Sequence, residues 1–353
     1  MAAGFLGGHS ESYRAMVLNE RDVELFALDL RDGSLDWNQF RDVKGSGSLT
    51  VSATGLEGIN WLVNRVAITY HAELGDQVID EQLMVGIVSG VDPNPTERTL
   101  DLTILDKLSI LSEDALPFSL GYPVGTLVTA AVVAMIQSTG ETKIAIVEST
   151  ETIRTALVFD VGEAKLTVVN RLLSTIDYSS LYVDGQGVFR SEPYVEPDKR
   201  DVMHRFEAGR YATFTDEIID ERDLFNIPNK VIAISTSDGE TEALVATAQN
   251  DDPSSPYSVI SRRGRVLTRV ETGVAATSQE TLQAFANRIL QSSSQVTWRQ
   301  TLQHLWAKIK LSDAVVAPNS LVFTVVEMVV TLQPGTLVKT VVRRMDTLGS
   351  GGE

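Results

Sequence analysis

The chain has 353 residues, 43% of them hydrophobic and 22% charged. That is the balance of a folded chain, at a length that one hydrophobic core seldom organises. Its 47 acidic residues against 30 Lys and Arg give a formal charge of -17, a field that repels nucleic-acid backbones and anionic lipid. With no cysteine present, disulfides, thiolate metal sites and thiol nucleophiles are excluded.

Residues 17–111 read as strands. Val66, Ile68 and Tyr70 alternate with Ala67 and Thr69, and Leu100, Leu102 and Ile104 with Asp101 and Thr103, which predicts one buried and one wet face. The apolar run 83–91 followed by Asp92-Pro93-Asn94-Pro95 predicts a long hairpin turning at the prolines.

From about Pro117 the period changes. Leu127, Ala131, Val132, Met135 and Ile136 recur at helical spacing, and Gly140 sits where a left-handed C-terminal cap falls. A second helix is predicted over 163–176 from the stripe Leu166, Val169, Leu172, Leu173 and Ile176. The most apolar window, 127–136, spans about ten residues against the roughly 20 that cross a bilayer. Residues 1–10 carry no basic stretch leading into an apolar core, so neither membrane insertion nor a secretory signal is expected. Asp184-Gly185-Gln186-Gly187 predicts a short hairpin whose glycines supply positive φ.

Beyond Val202, strands are predicted at 230–235, 265–270, 296–302, 305–311, 321–332 and 337–344. One helix interrupts them: Thr277 and Glu280 form a capping-box pair ahead of the stripe Leu282, Phe285, Ala286, Ile289 and Leu290. Both β-rich regions end in a long strand, a proline turn and a second long strand, at 83–105 and 321–344, the pattern of a duplicated domain.

Residues that carry chemistry are scattered. His9, His71, His204 and His304 lack the i, i+4 spacing of a zinc hydrolase helix and read as isolated packing or surface residues. Gly45-Ser-Gly47-Ser lacks the third glycine and helix of a phosphate cradle and reads as a flexible turn. Asp216, Glu217, Asp220, Glu221 and Asp223 contain the residue types of a glycosidase acid and base, and read better as a solvated acidic loop. Arg262, Arg263 and Arg265, with Arg343-Arg344 near the end, lack the interleaved aromatics of a single-strand stacking platform and suit salt bridges to acidic neighbouring subunits. Trp37, Trp61, Trp298 and Trp306, with the last two placed on adjacent strands, read as core or interface residues rather than a sugar groove. No catalytic, metal-binding or cofactor-binding residue is assigned, and no enzyme activity is expected.

The segment Asn250-Asp251-Asp252-Pro253-Ser254-Ser255-Pro256-Tyr257-Ser258, then Gly264-Arg265-Val266, a helix over 279–291 and the closing Arg343-Arg344, resembles the C-terminal half of siphophage tail-tip hub proteins. The two middle helices, the hairpin at 184–189 and Pro193-Tyr194 resemble the module that these hubs place between barrel-like domains. The likeness covers about 17–345. It implies a mainly β fold with an α+β middle module. Two related β-barrel-like tube domains, 1–112 and 204–345 (the latter with one helix), would flank a helix-hairpin domain, 113–203, with a flexible tail at 346–353. It further implies a homotrimeric baseplate hub at the virion tail tip, assembled in the host bacterial cytoplasm, that fits the six-fold tail tube to three-fold tip components around the DNA exit channel. The implied partners are the distal tail protein and tail-tube ring, the tape-measure C-terminus and other tail-tip proteins. DNA would pass through the lumen without specific binding. A carbohydrate- or receptor-binding tail protein is the alternative.

Overall fold

The computed structural model describes residues 9–56, 58–75, 77–154, 156–222, 227–235, 243–253, 255, 257–274, 278–293 and 296–346. They fall into two compact units, one of residues up to 217 together with 302–341, the other of 218–301 with the residues from 342. The fold is mainly β, as the sequence predicts.

The chain opens with β1 (His9–Leu18), β2 (Glu24–Leu28), β3 (Leu30–Asn38), β4 (Gly45–Ser52), β5 (Arg65–Leu74), β6 (Gln77–Asn94) and β7 (Thr99–Asp106). Next come α1 (Leu108–Glu113), β8 (Leu120–Tyr122), α2 (Val128–Gln137), β9 (Ile144–Ile146), β10 (Leu157–Phe159), α3 (Lys165–Ser174), β11 (Tyr182–Val183) and β12 (Phe189–Ser191). The remainder is β13 (Val202–Arg205), β14 (Ile219–Arg222), β15 (Lys230–Ser235), β16 (Val245–Gln249), β17 (Thr268–Val274), α4 (Gln279–Ser293), β18 (Val296–His304), β19 (Ala314–Val316), β20 (Val322–Thr331) and β21 (Val338–Asp346).

In the first unit the strands run β20-β3-β4-β7-β6-β5-β1-β2, with β19 beside β20 and β13 beside β19. The sheet curls until β1 and β3 meet. Inside lie Val17, Leu35, Leu49, Val51, Val66, Ile68, Tyr70, Leu102 and Ile104, joined from late in the chain by Trp306, Val330, Leu332 and Val338. Burying such side chains supplies the main stabilisation, about 1.5–3 kcal/mol each. Gly47 is required here, because a Cβ would lie 2.7 Å from Leu35 Cδ2 and 2.8 Å from the Ser34 carbonyl.

Several predicted features differ. Ala67 is buried, not wet: it packs with Leu18 and Val85 on the far face of β5, so this stretch is covered on both sides. The hairpin forms, but β6 runs through the proline cluster, with Pro93 opposite Leu100 and Asn94 opposite Thr99. A proline is tolerated there because its missing N–H need not face the ladder. The segment 305–311 is irregular rather than a strand, and α1 replaces the strand expected to reach Leu111. The short strands β13, β14, β16 and β19 carry no pattern long enough to read.

The segment from α1 to β12 has its own core and is built from one unit used twice. The helices α2 and α3 are both ten residues long and offset by 37 positions. At that offset Gly125 (φ 87°) matches Gly162 (φ 88°), and Gly140 (φ 88°) matches Asp177 (φ 56°). Backbone bonds repeat in pairs. Gly125 N–H donates to Ile153 O as Gly162 N–H does to Leu116 O, and Val128 N–H to Glu151 O as Lys165 N–H does to Asp114 O. In the antiparallel β8–β10 ribbon Gly121 faces Val158, its own counterpart, so a pseudo-dyad passes between them. One β-turn-α-β unit cannot cover its own helix; two close a core in which Val132 and Ile136 lie with Val169 and Leu173.

Gly140 caps α2 with positive φ as predicted. In the 184–187 turn only Gly187 (φ 76°) has positive φ. Gly185 instead lies against β6, where a Cβ would overlap the Gln82 carbonyl.

In the second unit β14 pairs antiparallel with β18, and the sheet β16-β15-β17 packs Val231, Ala233, Ala246 and Ala248 against Leu282 and Ala286 of α4. Thr277 lies outside the described residues; the Ser278 hydroxyl accepts the Thr281 N–H at 3.2 Å, which is N-cap geometry. Gln279 and Gln283 donate to the carbonyls of Val245 and Thr247, covering the outer edge of β16. The loop that carries the hub resemblance is held by Asn250, whose side chain bonds Ser255 Oγ and the Asp252 N–H. Ser254 and Pro256 lie outside the described residues.

Candidate functional site

Two features organise the first unit: a buried ionic junction and a pair of open sheet edges. The junction joins the curled sheet to the duplicated module. Asp22, in the β1–β2 turn at φ 58°, pairs with Arg65 of β5 at 2.6 Å and with Lys107, just after β7, at 3.1 Å. Glu141, just beyond α2, meets Arg65 and Lys107 at 2.5 Å each. Lys107 also donates to the Gly187 carbonyl at 3.0 Å. The four side chains are 0–10% exposed. Burial opposes ionisation of Asp22, but the Lys107 and Arg65 charges outweigh it and hold the carboxyl below its usual range. Lys143, 40% exposed, adds a third cation 3.3 Å from Asp22; opposite charges held together by hydrogen bonds are the arrangement in which buried charge is tolerated. These positions stand 22, 65, 107 and 141 in sequence, with no local pattern to connect them.

Beside the junction, Asp106 accepts N–H bonds from Gly45 at 2.6 Å and Leu108 at 2.9 Å. Burial nevertheless pushes its carboxyl up to about 6.

The open edges are β2 and β13. β2 pairs with β1 and with no other strand among the described residues, and Glu24, Leu25, Phe26 and Ala27 are all exposed. β13 pairs with β19 and likewise with no other strand; Met203 and Arg205 are exposed while Val202 and His204 are half-buried. Next to β13 lies a cavity of about 240 Å³ lined by His204, Arg205, Glu207, Arg210, Tyr211 and Trp306.

The sequence-selected residues distribute as follows. His204 and His304 are not isolated: Phe206 sits between them, 4.6 Å and 4.9 Å from their rings. His304 is fully buried, with Nδ1 2.6 Å from the Leu305 carbonyl and Nε2 2.8 Å from the Thr340 hydroxyl. A carbonyl only accepts, so Nδ1 carries the proton and Nε2 accepts. Burial pushes its pKa down to about 4, leaving a neutral packing residue. His9 and His71 lie near Glu11 and near Glu73 and Asp80. No His, Asp and Glu group among the described residues is arranged to hold a metal.

Asp216 and Glu217 are exposed, as expected for a solvated stretch, but Asp220 and Glu221 belong to β14 rather than to a loop, and Asp220 accepts the Trp298 indole N–H. Asp223 lies outside the described residues. Trp306 is not on a strand; it is buried and stacked on Tyr70 at 4.7 Å. Trp37 and Trp61, both partly buried, pack against the same core. Arg262 lies over Tyr257 and donates to the Ile227 carbonyl, the Arg265 carbonyl accepts from Asn229, and Arg343 and Arg344 lie on β21. Gly45 and Gly47 are strand residues of β4, not a flexible turn. No helix among the described residues is long and apolar enough to cross a membrane.

No protein-family model matches the chain, and no curated protein matches it in sequence. Solved structures do match in fold. A tail protein from Neisseria meningitidis MC58 superposes with TM-score 0.64 at 14% identity, covering 95% of this chain and 97% of that one. The 43 kDa tail protein of prophage MuSo2 from Shewanella oneidensis gives 0.61 at 11%, covering 94% and 98%. Prophage tail protein gp18 from Listeria monocytogenes EGD-e gives 0.56 at 12%, covering 96% and 95%. From end to end, the chain has the fold of phage tail proteins.

Proposed function

We propose that this chain is a structural tail-tip hub of a tailed phage. In this reading three copies form a ring on the end of the tail tube and fit its six-fold end to three-fold tip components; in each copy the β-rich segments 1–112 and 204–345 flank the module 113–203, with β20 of the second pairing with β3 of the first. The observation that carries the reading is coverage: almost the whole chain superposes on almost the whole of three phage tail proteins.

The charge of -17 supports a lumen through which DNA slides without adhering. The distal tail protein, the tape-measure C-terminus and other tip proteins are the partners that this role requires. The burial of Trp306 and the packing of Trp37 and Trp61 against the core argue against the carbohydrate-binding alternative.

The test is the mass of the full chain in solution, by light scattering, together with a low-resolution map of intact tails. A mass of three chains and density on the tail axis at the tip are expected. A monomer at high concentration, or density off the axis, overturns the reading.

A further inference from the structure

The duplicated module leaves the outer side of its ribbon bare. β8 and β10 give Leu120, Tyr122, Leu157 and Phe159 to the module core, while Gly121 and Val158, paired across the pseudo-dyad, are exposed. Phe118 and Val161, 67% and 66% exposed, share the opening between the Leu120–Phe159 pair and the bond from Gly162 N–H to the Leu116 carbonyl. Val124, the counterpart of Val161 in the repeat, is exposed at the other end. Exposed apolar side chains thus follow the ribbon from end to end, and such a patch marks an interaction site. Its surroundings are acidic: segments 113–127 and 151–163 hold Glu113, Asp114, Glu151, Asp160 and Glu163 against one arginine, Arg154.

The second unit carries a surface of the opposite kind. Residues 260–270 contain Arg262, Arg263, Arg265 and Arg269 and no acidic residue. Arg262 lies over Tyr257 and Arg269 pairs with Glu271 at 2.6 Å, whereas Arg263 and Arg265 are exposed and form no ion pair among the described residues. The turn in which Arg263 N–H donates to the Ile260 carbonyl leaves Ile260 exposed, and Val266 and Val270 are exposed beyond it. Arginine among apolar side chains is a composition in which protein interfaces are enriched.

We propose that segment 260–270 of one copy docks on the module ribbon of the next copy. Charge selects this pairing: ribbon against ribbon sets carboxylate on carboxylate, segment against segment sets arginine on arginine, and only ribbon against segment joins opposite signs. Two different surfaces of one chain make a heterologous contact, which closes into a ring when the rotation between copies permits. The contact rests on the trimeric reading above and names its interface. Phe118, Val158 and Val161 bury apolar surface against Ile260, Val266 and Val270, while Arg263 and Arg265 face the acidic surroundings.

Photo-cross-linking tests the contact. In the full chain Phe118 is replaced by p-benzoylphenylalanine, which keeps an aromatic ring at an exposed position, and equal amounts of isotope-labelled and unlabelled chains are mixed before irradiation. Links from position 118 are expected to land in residues 260–270 and to join labelled to unlabelled chains. Arg263→Glu/Arg265→Glu is expected to raise the trimer dissociation constant at least about tenfold. Val78→Asp, at an exposed position outside both surfaces, is expected to leave it unchanged. Far-ultraviolet circular dichroism confirms folding of each variant.

A wild-type monomer overturns both the ring and this contact. A wild-type trimer in which the links are absent, land elsewhere or stay within one chain overturns the contact alone, as does a double arginine variant that weakens the trimer no more than Val78→Asp; the ring then stands on other surfaces.

Discussion

Replacing Lys107 by Met tests whether the ionic junction holds the duplicated module on the sheet. The ammonium is fully buried between Asp22 and Glu141 and lies over the Phe189 ring, 5.3 Å from its centroid. Methionine keeps most of the apolar stem of lysine and removes the charge, leaving the two buried carboxylates with Arg65 and the partly exposed Lys143. Removing one partner from a buried charge cluster costs about 3–5 kcal/mol, a large fraction of the roughly 5–15 kcal/mol that stabilises a typical domain. Adding Glu141→Gln restores charge balance around the Asp22–Arg65 pair, so the double variant should be less destabilised than the two single costs together, by about 1–3 kcal/mol. Urea unfolding followed by circular dichroism and tryptophan fluorescence measures both values, with the m-value as the check that the same surface unfolds. A cost below about 1 kcal/mol for the single variant, or strict additivity in the double, refutes the reasoning.

Two buried groups set opposite pH dependences. His304 falls from 6.5 to about 4 on folding, so its stabilising contribution is present above pH 6.5 and lost as pH falls towards 4. Asp106 rises from 3.8 to about 6, so its contribution is present below pH 3.8 and lost as pH rises through 6. Each amounts to about 3 kcal/mol, and between pH 4 and 6 they largely cancel. Urea midpoints should therefore fall with rising pH in His304→Asn and rise with pH in Asp106→Asn; parallel profiles in the two variants would contradict the assignment. Gly185→Ala forces a methyl against the Gln82 carbonyl and should cost about 1–3 kcal/mol, seen as a lowered melting temperature; an unchanged value would show that the hairpin can shift freely. Ser278→Ala removes the cap of α4 and should cost about 1 kcal/mol in the second unit, read by hydrogen exchange of the α4 amides, whose unchanged protection would contradict the cap.

Elements of the fold were legible where one period persisted over many residues. The strand over 230–235 coincides with β15, and the helix over 163–176 contains α3, because alternation and the 3.6-residue stripe are local properties of the chain. The repeat inside the module leaves little trace in the sequence, where Leu120, Val124, Gly125 and Val132 recur as Leu157, Val161, Gly162 and Val169. Four identities at one offset are faint beside the changed residues, whereas paired backbone bonds leave no ambiguity. The strands β13 and β14 are each four residues of mixed polarity, and their pairing comes from partners 76 to 112 residues further on.

The amino-acid sequence alone determined a β-rich chain, the middle helices and their glycine cap, the absence of thiol chemistry and the acidic field, since each depends on composition or on neighbours a few positions away. Only the tertiary structure decided that Asp22, Arg65, Lys107 and Glu141 form one charge cluster, that Ala67 is covered and that Trp306 is buried against Tyr70. It alone showed which two strands end the curled sheet. Those facts depend on which distant segments pack together, and long-range packing is set by burial summed over the whole core, which no short window of residues contains.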